Sequence, residues 1–262
     1  AWRNNCEEER LLGVSLTGIM DCKLTNGKDQ ANCIGPHGSL PTVLKDLKSM
    51  AVKTNKEFAE KLGINQSVAV TCVKPSGTVS QLTDSASGIH ARHNPYYIRT
   101  VRGDKKDPLT KMMTDVGFPV EDDAMNPSHT SVFSFPMKVD NGAVFRTDMT
   151  AIEQLELWKT YQENWCEHKP SVTISVKEHE WLEVGAWVYE NFNYMSGVSF
   201  LPFSEHTYKQ APYQDCTKEE YEMLLDKMPE VVEWNKLAEY EQTDMTIGAQ
   251  ELACAAGFCE IQ

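Results

Sequence analysis

Short apolar, β-branched runs alternate with helix-patterned segments along most of this chain, and that order constrains its fold more than any other feature. The runs at 11–16, 67–73 (SVAVTCV), 96–101, 131–137, 171–176 (SVTISV) and 197–200 read as strands. Between the first two, residues 40–62 place Val43, Leu44, Leu47, Met50, Ala51, Phe58 and Leu62 at helical spacing behind Ser39 and Pro41, which mark a helix start. Segments 108–116, 151–167 and 181–191 also have helical patterns. Strands separated by helices of this length favour parallel pairing through right-handed crossovers, so the expected class is α/β, as a sheet or a barrel. After Phe203 the character changes. Residues 204–240 are polar and aromatic with helical stretches at 217–227 and 231–240, and residues 241–262 hold few large apolar groups and read as a flexible tail.

Composition narrows the function. Lys plus Arg number 25 against 38 Asp plus Glu, a net charge of −13 with no basic run, which argues against tracking a nucleic-acid backbone or an anionic membrane. No stretch approaches the roughly 18 apolar residues of a membrane span, and the start, AWRNNCEEER, is too polar for a signal peptide. The chain therefore reads as cytoplasmic. It begins at Ala1 in a charged, helix-like segment, which leaves open either a lost initiator Met or the C-terminal part of a longer polypeptide. Eight cysteines, Cys6, Cys22, Cys33, Cys72, Cys166, Cys216, Cys254 and Cys259, include no C-x-x-C pair and no zinc-finger spacing, so they read as free thiols, and no metal site is expected. Cys72 and Cys166 sit in apolar surroundings and read as buried small hydrophobes. Trp158, Trp165, Trp181 and Trp187 recur at helical spacing and read as core.

The sharpest local feature is VAVTCVKPSGTVSQLTD, an apolar strand that ends in a tight turn before a short helix-compatible run. Such a turn presents free backbone N–H groups and the positive end of a helix dipole, where an anion can sit. Gly77 lets a ligand approach the backbone, and Ser76 and Thr78 add hydroxyls. The plainer reading is that Ser76 or Thr78 simply caps the helix. It is not a Walker loop, because the spacing of a second Gly followed by Lys is missing. The run DSASGIHARHNPYYIR follows, with two His, two Arg and two Tyr in one turn-rich segment.

Together, KPSGTVSQLTDSASGIHARHNPYYIR, GVSLTGIMD near the start, GVSFLPFSEHTYKQAPYQ at 197–214 and the closing CAAGFC resemble the monomeric, adenosylcobalamin-dependent (class II) ribonucleoside-triphosphate reductases. The resemblance covers essentially the whole chain. It implies that residues 1–203 are the C-terminal part of a ten-stranded α/β barrel, that 204–240 pack on it, and that 241–262 form a flexible redox tail. It further implies that Pro75, Ser76, Gly77, Thr78 and Val79 hold the phosphates of a ribonucleoside triphosphate. Adenosylcobalamin would meet segments 86–148 and 208–247. Class I relatives carry Glu where this chain has Gly77, so that position points to the cobalamin class.

The same resemblance assigns Cys254 and Cys259 to a dithiol that carries electrons from a thioredoxin-like reductant to an active-site disulfide. Thiol exchange of this kind needs a flexible tether, small spacers and exposure, and Ala255, Ala256 and Gly257 supply the spacers. The family's radical-bearing Cys lies in an Asn-x-Cys-x-Glu loop that this sequence lacks; in NNCEE, Asn5 and Cys6 are adjacent. That absence favours a C-terminal piece, inactive without the N-terminal remainder of the enzyme. The alternative is a separate split-enzyme subunit that binds nucleotide and cobalamin and works only with an N-terminal partner.

Overall fold

A computed structural model describes residues 2–28, 38–77, 79–139, 142–203 and 209–241. The helices are α1 (Trp2–Glu9), α2 (Leu40–Leu62), α3 (Val79–Leu82), α4 (Pro108–Val116), α5 (Ala151–Asn164), α6 (Trp181–Asn191), α7 (Lys218–Leu225) and α8 (Leu237–Tyr240). The strands are β1 (Val14–Ser15), β2 (Thr71–Cys72), β3 (Tyr96–Asp104), β4 (Val120–Asp122), β5 (Thr130–Lys138), β6 (Thr173–Val176), β7 (Ser199–Pro202) and β8 (Tyr213–Asp215). Two compact units divide the described residues: 2–92 with 142–203, and 93–139 with 209–241.

The first unit has the expected βαβ logic. β1 pairs with β2 in parallel, Val14 opposite Thr71, across a connection that contains α2. β6 pairs with β7 in parallel from Thr173↔Ser199 to Val176↔Pro202, across α6. Helix starts and stops follow from local chemistry. Thr150 and Glu153 form a reciprocal capping box at the head of α5, and α2 ends at Gly63 in the left-handed conformation at φ 64°. The inward faces of α2, α5 and β6 supply Leu44, Leu155, Trp158, Tyr161, Ile174 and Val176, all essentially without solvent contact. Burying an indole requires a partner for its N–H. The Trp158 Nε1 donates to the Pro170 carbonyl at 3.1 Å and the Trp165 Nε1 to the Cys72 carbonyl at 2.7 Å. Trp187 is buried as well, whereas Trp181, expected in the core, is 40% exposed because it opens α6 on its outer side.

The second unit departs from the parallel expectation. Its sheet has the order β4-β5-β3-β8 and every pairing is antiparallel, with β3 and β5 matched over nine pairs from Tyr96↔Lys138 to Asp104↔Thr130. The physical reason lies in the connection. α4 is only nine residues long and is followed directly by the edge strand β4, which pairs with β5, so the chain turns back beside β3 instead of crossing over. β4 and β8 have no counterpart among the expected strands, since each is three residues with little buried apolar surface. The helix expected at 231–240 forms only as a 3₁₀ turn at Trp234–Lys236 and the single turn of α8.

Candidate functional site

The junction after β2 is built from short polar residues that satisfy one another. Ser76 Oγ accepts from the Ser80 N–H at 2.8 Å, and the Ser80 hydroxyl donates back to the Ser76 carbonyl at 2.6 Å. Ser76 thus satisfies one N–H in the first turn of α3. Its own N–H donates to Ser87 Oγ at 2.8 Å. No described residue accepts from the backbone N–H of Gly77 or Val79, so two donors at the turn are available to a ligand. Lys74 is exposed, its N–H held by Ser15 Oγ at 3.0 Å and its Nζ by the Lys169 carbonyl at 3.0 Å. Thr78, part of the expected phosphate loop, lies outside the described residues.

This turn is pinned from behind by the DSASGIHAR segment, and that segment in turn by GVSLTGIMD. The Ala86 carbonyl accepts from Gly18 N–H at 2.8 Å and from the Thr17 hydroxyl at 3.0 Å, while Gly88 N–H donates to Thr17 Oγ1 at 3.0 Å. Arg92 is buried. Its Nε donates to Asp21 Oδ1 at 2.7 Å, its Nη1 reaches Asp84 Oδ1 at 3.2 Å, and its Nη2 donates to the Asp84 carbonyl. Asp21 Oδ2 also accepts from Ala86 N–H at 2.6 Å, so one carboxylate ties both ends of the segment.

His90 sits beneath Ser87. Its Nε2 accepts from Thr173 N–H at 3.1 Å, so Nδ1 carries the proton and donates to the Ser87 carbonyl at 3.1 Å. Burial disfavours the imidazolium and moves its pKa down, which keeps this neutral tautomer in place.

Gly88 is the tightest point of the arrangement. It adopts φ +56°, and a Cβ there would lie 2.7 Å from the Lys74 carbonyl oxygen, a backbone atom that cannot swing away. Gly88→Ala is expected to destabilise the first unit by about 1–3 kcal/mol, read as a lower urea midpoint. An unchanged midpoint would contradict the packing described.

In the second unit a separate cluster forms where β8 joins β3. His93 Nε2 lies 2.5 Å from Asp215 Oδ1, and Asn94 Nδ2 donates to the same oxygen at 2.8 Å. The His93 ring packs against Tyr97 and Tyr213 at 5.9 and 5.5 Å, and the Arg99 guanidinium lies 4.7 Å over Tyr213.

The adenosylcobalamin-dependent ribonucleoside-triphosphate reductase of Euglena gracilis is 31% identical over 237 residues, covering 88% of this chain and 31% of that protein. The protein of the same name from Lactobacillus gasseri is 28% identical over 286 residues, covering 99% of this chain and 38% of that protein. The chain is homologous to adenosylcobalamin-dependent ribonucleoside-triphosphate reductases. A crystal structure of a B-12 dependent (class II) ribonucleotide reductase superposes with a TM-score of 0.74 at 23% identity, over 93% of this chain and 36% of that one, and so shares the fold. No protein-family model matches the chain. The chain spans about a third of the length of the curated relatives it matches.

Two of the segments that carried the sequence resemblance, 13–21 and 84–92, are thus in direct contact around the turn at 75–77. Sequence reasoning missed Asp21, Tyr213 and Asp215. Asp21 closes GVSLTGIMD and Tyr213 falls within the 197–214 motif, so a search for charge and ring partners inside the resembling segments had a signal for both. Cys254 and Cys259 lie outside the described residues. Cys72 and Cys166 are buried, and burial, with Cys72 close by, pushes the Cys166 thiol up to about 12. Among the described residues, no group of three His, Cys, Asp or Glu side chains is arranged to hold a metal ion, and no helix is long and apolar enough to cross a membrane.

Proposed function

We propose that this chain is the C-terminal part of a class II reductase that converts ribonucleoside triphosphates to 2′-deoxyribonucleoside triphosphates in the cytoplasm. In this reading residues 1–203 complete a ten-stranded α/β barrel, 204–240 pack against it, and 241–262 form the redox tail. The observation that carries it is the turn at Pro75, Ser76 and Gly77, held by two segments that resemble the family, with no acceptor among the described residues for the Gly77 and Val79 N–H groups. The N–H groups of Gly77 and Val79 would grip the substrate phosphate, with Thr78 completing the loop. Lys74, exposed beside it, adds positive charge.

Adenosylcobalamin would meet segments 86–148 and 208–247, which β3 and β8 bring into one sheet. Asn94, Arg99 and Tyr213 lie at this β3–β8 junction, and their amide, guanidinium and phenol groups are of the kind that would hydrogen-bond its amide-bearing rim. The chemistry it supplies when bound is homolysis of the cobalt–carbon bond, which starts a thiyl radical on a cysteine outside this chain. Cys254 and Cys259 would return electrons from a thioredoxin-like dithiol.

Hydrogen exchange with and without a ribonucleoside triphosphate tests the phosphate assignment on this chain. The Gly77 and Val79 amides are expected to exchange at least tenfold more slowly with the nucleotide. Unchanged rates would remove phosphate binding from every version of the proposal.

A further inference from the structure

We infer that His90 is a positioning residue for the turn at 75–77: its neutral ring braces the segment behind that turn against β6, and a proton taken up by the ring releases the brace. Its consequence for a ligand rests on the reading of that turn as a phosphate site, to which it adds the group that governs how firmly the turn is held. The brace consists of two hydrogen bonds of opposite sense. The Nδ1–H donates to the Ser87 carbonyl at 3.1 Å, the same oxygen that accepts the His90 backbone N–H at 3.0 Å, so ring and main chain together close the turn from Ser87 to His90. At the far end of the ring, Nε2 accepts from the Thr173 N–H at 3.1 Å. Thr173 opens β6 and is matched with Ser199 of β7, so the imidazole is tied to a parallel strand pair. From Ser87 the connection passes straight to the turn, because Ser87 Oγ accepts from the Ser76 N–H at 2.8 Å. One ring therefore joins β6 to the residue that holds Ser76.

Protonation reverses one end of this brace. A neutral imidazole has one donor and one acceptor, whereas the imidazolium has two donors. With Nε2 protonated, two N–H groups would face each other at the Thr173 contact, and Thr173 would lose its acceptor unless the ring moved aside. Either outcome acts on Ser87 and through it on Ser76. The residue retains some solvent exposure, so a proton can reach the ring.

Among the described residues, no carboxylate is bonded to the ring to hold it charged. On its own segment Asp84 and Arg92 are engaged with each other, and Arg92 also with Asp21. On the neighbouring stretches Lys74 and Lys169 are exposed, Glu167 accepts from the Val70 N–H, His168 lies on the Leu12 and Ala69 carbonyls, and Cys72 and Cys166 are buried thiols. β6 and β7 carry no titratable side chain, and Lys177 beyond β6 lies over the Phe203 ring. Burial is the largest influence on His90 and lowers its pKa, the Ser87 bond opposes it, and no neighbouring charge contributes. The turn is therefore held at neutral pH and released as pH falls below the ordinary histidine range, about 6.5.

The test compares the full chain with His90→Gln. A Gln amide oxygen can accept from the Thr173 N–H in place of Nε2 and takes up no proton, so this variant keeps the brace and loses the response. Nitrogen NMR follows the His90 ring from the Nδ1–H tautomer to the imidazolium, while exchange of the Thr173 and Ser76 amides, corrected for the intrinsic effect of pH, is followed without nucleotide. Across the titration of the ring, protection of both amides is expected to fall about tenfold in the unaltered chain and by less than about twofold in His90→Gln. His179→Gln, at an exposed histidine ahead of α6, should respond as the unaltered chain does. Over the same range, affinity for a ribonucleoside triphosphate should fall about fivefold further in the unaltered chain than in His90→Gln, a comparison that cancels the proton a phosphate itself gains near about pH 6. Equal pH responses of the two proteins, or a ring that stays neutral wherever the chain is folded, would overturn the inference. Should circular dichroism show His90→Gln unfolded, the unaltered chain decides: a ring that takes up its proton with Ser76 protection unchanged overturns the brace. A triphosphate that protects neither Gly77 nor Val79 at any pH, with the nucleotide-free response present, would remove the phosphate reading and leave the His90 brace standing.

Discussion

Arg92→Ala is expected to lower the unfolding free energy of the first unit by about 3 kcal/mol, the low end for breaking a buried ion pair. The Arg92 side chain is 8% exposed and its main partner Asp21 only 26%, so removing the guanidinium leaves a carboxylate with little water to replace it. Asp84 is 56% exposed and contributes far less, because solvent screens that pair. The loss is also not local. Asp21 holds Ala86, and residues 84–92 hold Ser76 through Ser87, so the turn at 75–77 should loosen along with the ion pair. Urea unfolding followed by tryptophan fluorescence reads the first unit, since five of the six Trp residues belong to it. Adding Asp21→Asn in the Arg92→Ala background should recover part of the loss, as the stranded charge is then gone. A change below about 0.5 kcal/mol in the single variant would mean that the pair is a surface contact and that the segment is held by its backbone bonds alone.

The parts of this fold legible in the sequence are those set by local chemistry. The helical patterns at 108–116 and 40–62 match α4 and α2, and the structure supplies the local chemistry of their ends: the Asp107 cap before Pro108, and Gly117 and Gly63 in the left-handed conformation. What could not be read was which strands meet. β3 is buried only at Tyr97 and Thr100 and β5 at the consecutive Ser131, Val132 and Phe133, so neither shows the clean alternation of a one-sided antiparallel strand, and the helix between them suggested a crossover; only tertiary pairing with β4 and β8 decided the matter. The candidate site divides in the same manner. The Pro75–Gly77 turn announced itself through Gly and hydroxyls at a strand end. Its support did not, because Asp21 and Arg92 are 71 positions apart and no short pattern links them. Gly88 looked like one more loop glycine, and only the nearby Lys74 carbonyl shows why nothing larger fits.

Changing Cys254 and Cys259 together to Ser in the complete enzyme is expected to abolish thioredoxin-driven turnover, a loss of at least a hundredfold, while pre-reduced enzyme still completes a single turnover. In the proposed reaction, reduction of the ribose 2′-carbon by two thiols would leave a disulfide in the active site, and restoring it would take one exchange with a second dithiol and one re-reduction outside. The described cysteines are poor candidates for that second dithiol. Exchange requires thiolate, and a thiol near 12 such as Cys166 is ionised to about one part in 100,000 at neutral pH. Cys72 is buried beside it, Cys216 is shifted upward by burial and by Glu220 and Asp215, and Cys6 and Cys22 have no cysteine at the spacing of the terminal pair. Cys166→Ser should therefore leave turnover unchanged and serves as the control. Single-turnover product with no multiple turnover in the double variant assigns the relay to the terminal pair. Full multiple turnover would move the relay to another dithiol and leave Cys254 and Cys259 without a part in the reaction.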